Sequence, residues 1–261
     1  MSHGIFLAGT DTDVGKTRVT LALLRALQSR GISATGMKPV ATGTRPVTAA
    51  ELANFAGFCA VGDLINDDVV AIAALSPPDC DRLDVNPYCF DWGVSPHIAA
   101  ARAGVRIEPE RVAAAYERLA TRCDAVVVEG TGGWFAPIGE RGTMADIAQR
   151  LALPVVLTVG LRLGCLNHAL LSAQAIGVSN LQLAGWIGCV LSADMPALEE
   201  NLDALDELLG VPRLALLPYS VATDGDARHV TSAVATLFDR PLAQARLAYA
   251  QLAHVEARRR A

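Results

Sequence analysis

The stretch GTDTDVGKT, residues 9–17, carries residue types that bind a nucleoside triphosphate at the start of a helix. It follows a short apolar run and precedes a helical pattern, which is the context of a phosphate-binding loop. Backbone N–H groups at a helix N-terminus attract phosphate oxygens, and Gly15 lets that backbone approach closely. Lys16 would then bridge the β- and γ-phosphates, and the Thr17 hydroxyl would ligate Mg²⁺.

The first glycine of this stretch is displaced. Gly9 lies one residue further from Gly15 than the usual G-x-x-x-x-G-K-[ST] spacing, so Thr10 takes the usual place of the first glycine. The alternative interpretation is an ordinary glycine-containing turn with a surface lysine. Because a strand, Gly-Lys-Thr and a helix coincide, the phosphate loop is favoured.

The run AVVVEGTGGW, residues 125–134, ends a predicted strand in an acid and a glycine-rich turn. Four apolar residues lead to Glu129 at the carboxyl end of the strand, where ligands bind in parallel sheets. A carboxylate there can hold Mg²⁺ directly or through water, and a solvated acid is the alternative. The glycines that follow leave room for a substrate against the backbone; they are Gly130, Gly132 and Gly133.

The run GMKPVATG, residues 36–43, places Lys38 and Thr42 just past the second predicted strand. A lysine in such a place is usually solvated, and the spacing alone favours that ordinary role. If Lys38 instead faces the same anion as Lys16, the pair would stabilise the transition state of phosphoryl transfer.

Short apolar runs and longer amphipathic segments alternate along the chain, which predicts strands and helices in turn. The predicted strands are apolar on both faces, as in a parallel sheet covered by helices on each side; they are GIFLAG, SATGMKPV, DAVVVEG, LPVVLTVG, LAGWIGCVL and RLALLP. The predicted helices end at glycine or begin at proline; they end at Gly31, Gly104, Gly177 and Gly210, and two begin at Pro96, after the N-cap Ser95, and at Pro109.

This alternation predicts an α/β fold: one domain over residues 1–261, with a doubly wound, mostly parallel β-sheet flanked by helices, of the phosphate-loop NTPase type. The segment from Gly43 to Val70 mixes turn residues with short apolar runs and is the least regular part. Residues 240–261 read as an amphipathic C-terminal helix whose packing the sequence leaves open.

The composition excludes several classes of protein. The net charge of −5 argues against nucleic-acid binding, which needs clustered cations. No run of about 18 apolar residues is present, so we expect no membrane span, and the early Asp11 and Asp13 do not fit a secretory signal. Six scattered cysteines without a C-x-x-C pair indicate reduced thiols in a cytoplasm and neither disulfides nor a zinc site.

Six blocks in order resemble the dethiobiotin synthetase family: GTDTDVGKT, KPVATG, VNPYCF, SPHIAA, VVVEGTGGW and LGCLNHALLSAQ, within residues 4–192. In that family the longer glycine spacing is the normal form of the loop. The resemblance implies a homodimeric enzyme that uses ATP, Mg²⁺ and CO2 to close a cyclic urea on 7,8-diaminononanoate. The reaction would pass through a carbamate and a carbamic–phosphoric anhydride to dethiobiotin.

Two other classes of protein with this loop remain as alternatives. An amidotransferase-type synthetase usually carries a glutaminase domain, for which we expect no room in this chain. A phosphate-loop switch ATPase typically has an extra lysine early in the loop, and residues 10–13 contain none.

The resemblance also assigns roles residue by residue. Those around the carbamate and the γ-phosphate are Lys38, Lys16 and Thr12. Those that bind the diamine substrate are Thr42, Lys38, Leu163, Gly164, Cys165 and Asn167, the last four at a helix start that would face the substrate carboxylate across a dimer interface. Those that bind the nucleotide are Asp13, Val14, Gly15, Lys16, Thr17, Arg18, Asp68, Glu129, Gly130, Thr131, Gly132, Cys189, Val190, Pro218, Tyr219 and Ser220. Those that surround the metal are Thr17, Asp68 and Glu129, with Asp63 or Asp67 as alternatives to Asp68.

The chain departs from the family pattern where the base would bind. Cys189 and Val190 stand where the family often has Asn-Asp. A thiol replaces poorly an amide that both donates and accepts hydrogen bonds. We therefore expect base contacts from the backbone near Pro218 to Ser220, and a relaxed nucleotide preference.

Overall fold

A computed structural model gives the structure of the protein and describes residues 3–48, 63–220 and 225–238. Numbered in chain order, the strands of this part are β1 His3–Gly9, β2 Ala34–Met37, β3 Val40–Thr42, β4 Arg45–Pro46, β5 Leu64–Ile65, β6 Tyr88–Phe90, β7 Ala125–Glu129, β8 Val155–Leu161, β9 Leu183–Val190 and β10 Arg213–Leu217. Six of them form one parallel sheet in the order β10-β9-β8-β1-β7-β2. They are the six strands that the sequence predicts, so the predicted sheet is confirmed.

Helices surround this sheet. In the described residues they are α1 Lys16–Ser29, α2 Asp67–Ala73, α3 Arg82–Val85, α4 Pro96–Arg102, α5 Pro109–Arg122, α6 Met144–Leu151, α7 Cys165–Val178, α8 Leu198–Leu209, a 3-10 helix Asp226–Val230 and α9 Thr231–Phe238. The predicted starts at Pro96 and Pro109 are confirmed. The predicted end at Gly177 is wrong, since α7 continues to Val178 and the chain turns at Asn180 with φ 57°. Asparagine tolerates that left-handed conformation, so no glycine is needed there.

The central sheet buries both of its faces. Ile5 and Leu7 of β1 pack in a core with side chains of α1, the 3-10 helix and α9. Phe6 and Ala8 point to the opposite face, in a core with side chains of α4, α5, α6, α7 and α8. Because successive side chains of a strand alternate between faces, an all-apolar strand needs helices on both sides, and the predicted doubly wound fold is confirmed.

Two small pairs of strands lie beyond the carboxyl ends of the central sheet's strands. Strand β3 pairs with β6 in parallel, and β4 pairs with β5 in antiparallel fashion. Neither pair, nor helix α6, follows from the sequence patterns described above; the strands of the two pairs are only two or three residues long, too short for an alternating pattern to show. They hold the segments after β2 and before α2 against the site described below.

Some expectations lie outside the described residues or remain predictions. The predicted C-terminal helix, residues 240–261, lies outside them, and the single-domain organisation and the cytoplasmic location stay predictions. The five cysteines that the structure describes are free thiols. Among the described helices, none has the length and apolar character needed to cross a membrane.

Candidate active site

The loop between β1 and α1 depends on glycine at its last position. Gly15 adopts φ 95°, a conformation that L side chains rarely take, and a Cβ there would lie 2.8 Å from Cys189 Sγ. The loop backbone therefore sits directly against the end of β9. This close packing turns the first N–H groups of α1 toward a cavity at the carboxyl edge of the sheet.

The displaced Gly9 has a local role. A Cβ at this position would lie 2.7 Å from Lys16 Nζ, so glycine leaves room for the lysine to fold back over the end of β1. The Lys16 ammonium donates to Asp11 O at 2.7 Å. Burial, together with the nearby charge of Lys38, lowers the pKa of Lys16 to about 8.

Lys38 joins two acids from different parts of the fold. Its Nζ donates to Glu129 Oε1 at 2.6 Å and to Asp68 Oδ2 at 2.7 Å. The Thr17 hydroxyl donates to the same Glu129 oxygen at 2.7 Å. Lys38 follows β2, Glu129 ends β7, and these neighbouring parallel strands bring the two side chains to one edge. Glu129 is fully buried and Lys38 is only 5% exposed.

Electrostatics keep this cluster charged. Burial alone would lower the pKa of Lys38, but the Glu129 and Asp68 carboxylates raise it above its ordinary value. Burial alone would raise the pKa of Asp68, and Lys38, with help from Thr17 and Lys16, lowers it instead. Lys38 is therefore an ammonium and Asp68 a carboxylate at neutral pH.

One hydroxyl of this cluster is missed by the sequence analysis. Thr20 is fully buried, and its Oγ1 donates to Glu129 Oε2 at 2.7 Å. Thr17 and Thr20 thus hold the two oxygens of one carboxylate. The available signal is helical spacing, because residues three apart on α1 share a face.

Among the three acids considered for the metal, the structure brings Asp68 to the cluster. The Asn66 side chain caps α2 by accepting from Asp68 N at 3.0 Å, and its amide donates to Thr42 O and Gly43 O. Asp67 instead pairs with Arg45 at 2.7 Å. Asp63 lines a separate cavity beside Cys89.

A second asparagine, also missed, fixes the backbone at Lys38. Asn86 is buried, and its amide donates to Lys38 O at 2.6 Å and to Tyr88 O at 3.0 Å. Lys38 N donates to Val85 O at 2.8 Å. Two residues after Lys38, Val40 O accepts a hydrogen bond from the Thr131 hydroxyl. Asn86 lies in the VNPYCF block, so the block holds a catalytic candidate in place.

These groups line a cavity of about 450 Å³. It brings together predicted residues from four segments of the chain, and Ala41 and Asn66 join them. The predicted residues that line it are Thr12, Asp13, Gly15, Lys16, Thr17, Arg18, Lys38, Thr42, Asp68, Glu129, Thr131 and Gly132.

Other predicted residues lie around the cavity without lining it. Val14 and Cys189 are buried beneath the loop, with Val190 also buried beside them. Gly130 N donates to Leu7 O at the end of β7. Pro218, Tyr219 and Ser220 follow β10 and are exposed. At the start of α7, Leu163, Gly164 and Asn167 are exposed and Cys165 is buried.

Comparisons with known proteins identify the family. A family model described as "AAA domain" matches residues 3–227. The ATP-dependent dethiobiotin synthetase of Aromatoleum aromaticum is 45% identical over 221 residues, which cover 84% of this chain and 92% of that protein. The corresponding protein of Nitrosospira multiformis is 40% identical over 89% of this chain and 94% of its own length. The chain belongs to the ATP-dependent dethiobiotin synthetase family.

Solved structures agree on the fold. The MinC:MinD complex of Aquifex aeolicus aligns with a TM-score of 0.54 at 14% identity, covering 92% of this chain and 97% of that chain. The cell division ATPase MinD of Pyrococcus furiosus aligns with a TM-score of 0.50 at 14% identity, covering 90% and 98%. At such identities the likeness concerns the phosphate-loop NTPase fold alone. Membership of the dethiobiotin synthetase family, in contrast, makes this chain an ATP-dependent ligase.

The residues present fit the magnesium ion that a dethiobiotin synthetase would use. One hydroxyl and two carboxylates, those of Thr17, Asp68 and Glu129, open into the same cavity beside the phosphate loop. Mg²⁺ prefers such oxygen ligands, in small number, together with phosphate oxygens and water. Within the described part of the chain, no group of three or more His, Cys, Asp or Glu side chains is placed to hold a metal ion.

The chain contains two lysines in total, and both lie in this cavity. Lys16 and Lys38 are the only lysines of the 261-residue sequence, while its other 20 basic residues are arginine. Each is almost completely buried, and the positive charge of Lys38 lowers the pKa of Lys16. The sequence-based hypothesis that both lysines face one anion therefore has a geometric basis.

Proposed function

We propose that the chain catalyses the ATP- and Mg²⁺-dependent carboxylation and ring closure of 7,8-diaminononanoate to dethiobiotin. One amine of the substrate adds to CO2 and loses a proton to give a carbamate. A carbamate oxygen attacks the γ-phosphorus and ADP leaves, giving a carbamic–phosphoric anhydride. The second amine attacks the carbonyl carbon, phosphate leaves, and the ureido ring is closed.

The observation that carries this proposal is the meeting of Lys16 and Lys38 in one cavity with Glu129 and Asp68. A carbamate and a triphosphate are both anions, and at about 4 Å their repulsion amounts to several kcal/mol at the effective dielectric of a protein surface. Two nearly buried ammonium groups held in place beside the cavity offset that repulsion without having to reorganise. Membership of the dethiobiotin synthetase family supports the choice of substrate.

The side chains divide the work. Lys16 is placed to bind the β- and γ-phosphates, and Lys38 to neutralise the carbamate as its oxygen approaches phosphorus. Thr17, Asp68 and Glu129 would hold Mg²⁺, which when bound supplies positive charge against the phosphate oxygens. Thr12, at the mouth of the cavity, is available to donate a hydrogen bond to the same oxygens.

The proposal includes a homodimer that completes the substrate site. Leu163, just before α7, is 99% exposed, and Leu171 and Val178 of α7 are 57% and 78% exposed. Covering these side chains with a second copy of the chain would remove apolar surface from water, which favours association. Pairing through α7 would bring the α7 start of a partner to the carboxylate tail of the substrate, where helix N–H groups stabilise an anion. Leu171→Glu should convert dimers to monomers in analytical ultracentrifugation, and dimers that persist would exclude this face.

The reaction is tested by its requirement for all three reactants. Phosphate release and a product with the mass of the ureido ring should both require ATP, the diamine and bicarbonate together. ATP hydrolysis without diamine and bicarbonate would instead indicate a switch ATPase. Phosphate release that requires an ammonia source and a carboxylate would indicate an amidotransferase-type synthetase.

A further inference from the structure

The cavity has two sides, separated by strand β1. The transfer side consists of Thr17, Lys38, Asp68 and Glu129 and lies toward β7 and β2. Arg18 also lines the cavity, and Cys189, Asp226 and residues 218–220 lie beyond it, outside the lining, on the side of β9 and β10; we call this group the nucleoside side. If the γ-phosphate meets the carbamate on the transfer side, the ribose and base must extend toward the nucleoside side.

A buried ion pair spans the nucleoside side. Arg18 Nε lies 2.5 Å from Asp226 Oδ2, and Arg18 Nη2 lies 2.7 Å from Asp226 Oδ1. The two side chains are only 14% and 5% exposed. This bidentate geometry fixes the plane of the guanidinium as well as its position.

The pair joins the first turn of α1 to the segment that follows β10. Arg18 belongs to the first turn of α1 and lines the cavity next to the phosphate-binding residues. Asp226 begins the 3-10 helix, which packs against α1 and follows residues 218–220 after β10. Because a buried ion pair is costly to desolvate, its net contribution to stability is small, and a role in the site is the better explanation.

Cys189 is poorly suited to form hydrogen bonds with a nucleoside on this side. Its Sγ lies 4.0 Å from Gly15 O, and burial raises the pKa of the thiol to about 12, so it is neutral. A neutral thiol is a weak donor and a weak acceptor. The Arg18 guanidinium lines the cavity, and a guanidinium has three N–H groups beyond the two that Asp226 accepts, so it is the stronger hydrogen-bond donor on this side.

Resting on the proposed function, we infer that Asp226 is a positioning residue for the nucleoside half of ATP. It holds the Arg18 guanidinium as the wall of the cavity against which the ribose and base lie. The triphosphate is bound independently by the loop backbone, Lys16 and Thr17. Loss of Asp226 should therefore weaken binding of the nucleoside and leave binding of the phosphates intact.

Calorimetry with two probes tests this separation. In the presence of Mg²⁺, the Kd is measured for a non-hydrolysable ATP analogue and for inorganic tripolyphosphate, which has no nucleoside. For Asp226→Asn we expect the analogue to bind about tenfold more weakly and tripolyphosphate to bind within about twofold of wild type. Arg118→Lys is the matched control, because it alters a second Arg–Asp pair that does not line the cavity, and neither Kd should change.

The double variant Arg18→Met/Asp226→Leu covers the case in which Asp226→Asn fails to fold. It replaces the pair by apolar groups of similar volume, a change that buried ion pairs tolerate well. The same loss for the analogue and the same retention of tripolyphosphate binding are expected. Equal weakening of both probes, or no weakening of either, overturns the inference. A wild-type protein that binds neither probe overturns the proposed function itself.

Discussion

The transfer side and the nucleoside side differ in how their charged groups are connected by hydrogen bonds. On the transfer side, one acceptor serves two donors: Glu129 Oε1 accepts from both Lys38 and Thr17. On the nucleoside side, Arg18 and Asp226 form one isolated pair above a neutral thiol. A shared network loses several contacts when one group is changed, while an isolated pair loses only its own. We therefore expect large effects from substitutions on the transfer side and modest, binding-specific effects on the nucleoside side.

The largest effect is expected for Lys16→Ala, which removes one of the two lysines of the chain. Because a preorganised cation is lost where negative charge develops, turnover should fall by about 100- to 1,000-fold or more. The measurement is the rate of ureido product formation at saturating substrates, with thermal melting to verify the fold. A variant that keeps most of its activity contradicts the role of Lys16.

Glu129→Gln should have the next largest effect, on the demand for Mg²⁺. The amide removes a charge from the proposed metal ligands and from the partner of Lys38. We expect the Mg²⁺ concentration at half-maximal rate to rise by about 10- to 100-fold. An unchanged Mg²⁺ titration would remove Glu129 from the metal site.

Thr20 sharpens the comparison because its hydroxyl, which also contacts Lys16 O at 3.1 Å, reaches the acids of the network only at Glu129 Oε2. Thr20→Val keeps the shape but removes the hydroxyl, and should raise the Mg²⁺ requirement by about fivefold to tenfold. Thr20→Ser, which retains the hydroxyl, is the matched control and should stay near wild type. If both variants behave alike, Thr20 serves only packing.

The lowered pKa of Lys16 predicts how nucleotide binding depends on pH. Below a pH of about 8 Lys16 is an ammonium, and as the pH rises through 8 it loses the charge that attracts phosphate. The affinity for tripolyphosphate should therefore fall above pH 8, by up to about tenfold per pH unit, and binding there should take up a proton. Affinity that stays constant from pH 7 to 9.5 contradicts the lowered pKa.

The smallest effect concerns the base. Since Cys189 offers only a neutral thiol at the nucleoside side, rates with ATP, GTP and CTP should differ by only a few-fold. The measurement is kcat/KM for product formation with each nucleotide. Strict dependence on ATP, with rates many-fold above the others, shows that other groups read the base.

The sequence predicts the transfer side well because its chemistry lies in local motifs. Lys16 and Thr17 follow a strand and a glycine loop, and Lys38 and Glu129 end neighbouring strands of a parallel sheet. Strand ends of one parallel sheet meet at one edge, so residue type and element order together place these groups. The choice of Asp68 over its neighbour Asp67 could be checked only in the structure, because the two differ only in the side of α2 on which they lie: Asp68 contacts Lys38 and Asp67 contacts Arg45.

The nucleoside side could not be predicted in the same way. Asp226 has no motif around it, and its partner Arg18 is 208 positions away in the chain. On the transfer side, Thr20 and Asn86 were not predicted either: helical spacing could have placed Thr20 on the face of Thr17, but no sequence pattern shows that Asn86 is buried. The small strand pairs β3–β6 and β4–β5 form through contacts between distant parts of the chain, so local sequence patterns do not predict them.

The central claim is that the only two lysines of the chain converge on one anionic site, and lysine-selective NMR tests it most directly. Labelling with [¹³Cε]lysine gives two resonances, which Lys16→Arg and Lys38→Arg assign. With Mg²⁺ and a non-hydrolysable ATP analogue, both resonances should shift, and addition of the diamine and bicarbonate should move that of Lys38 further. A Lys38 resonance whose chemical shift stays unchanged with all of these ligands contradicts the account.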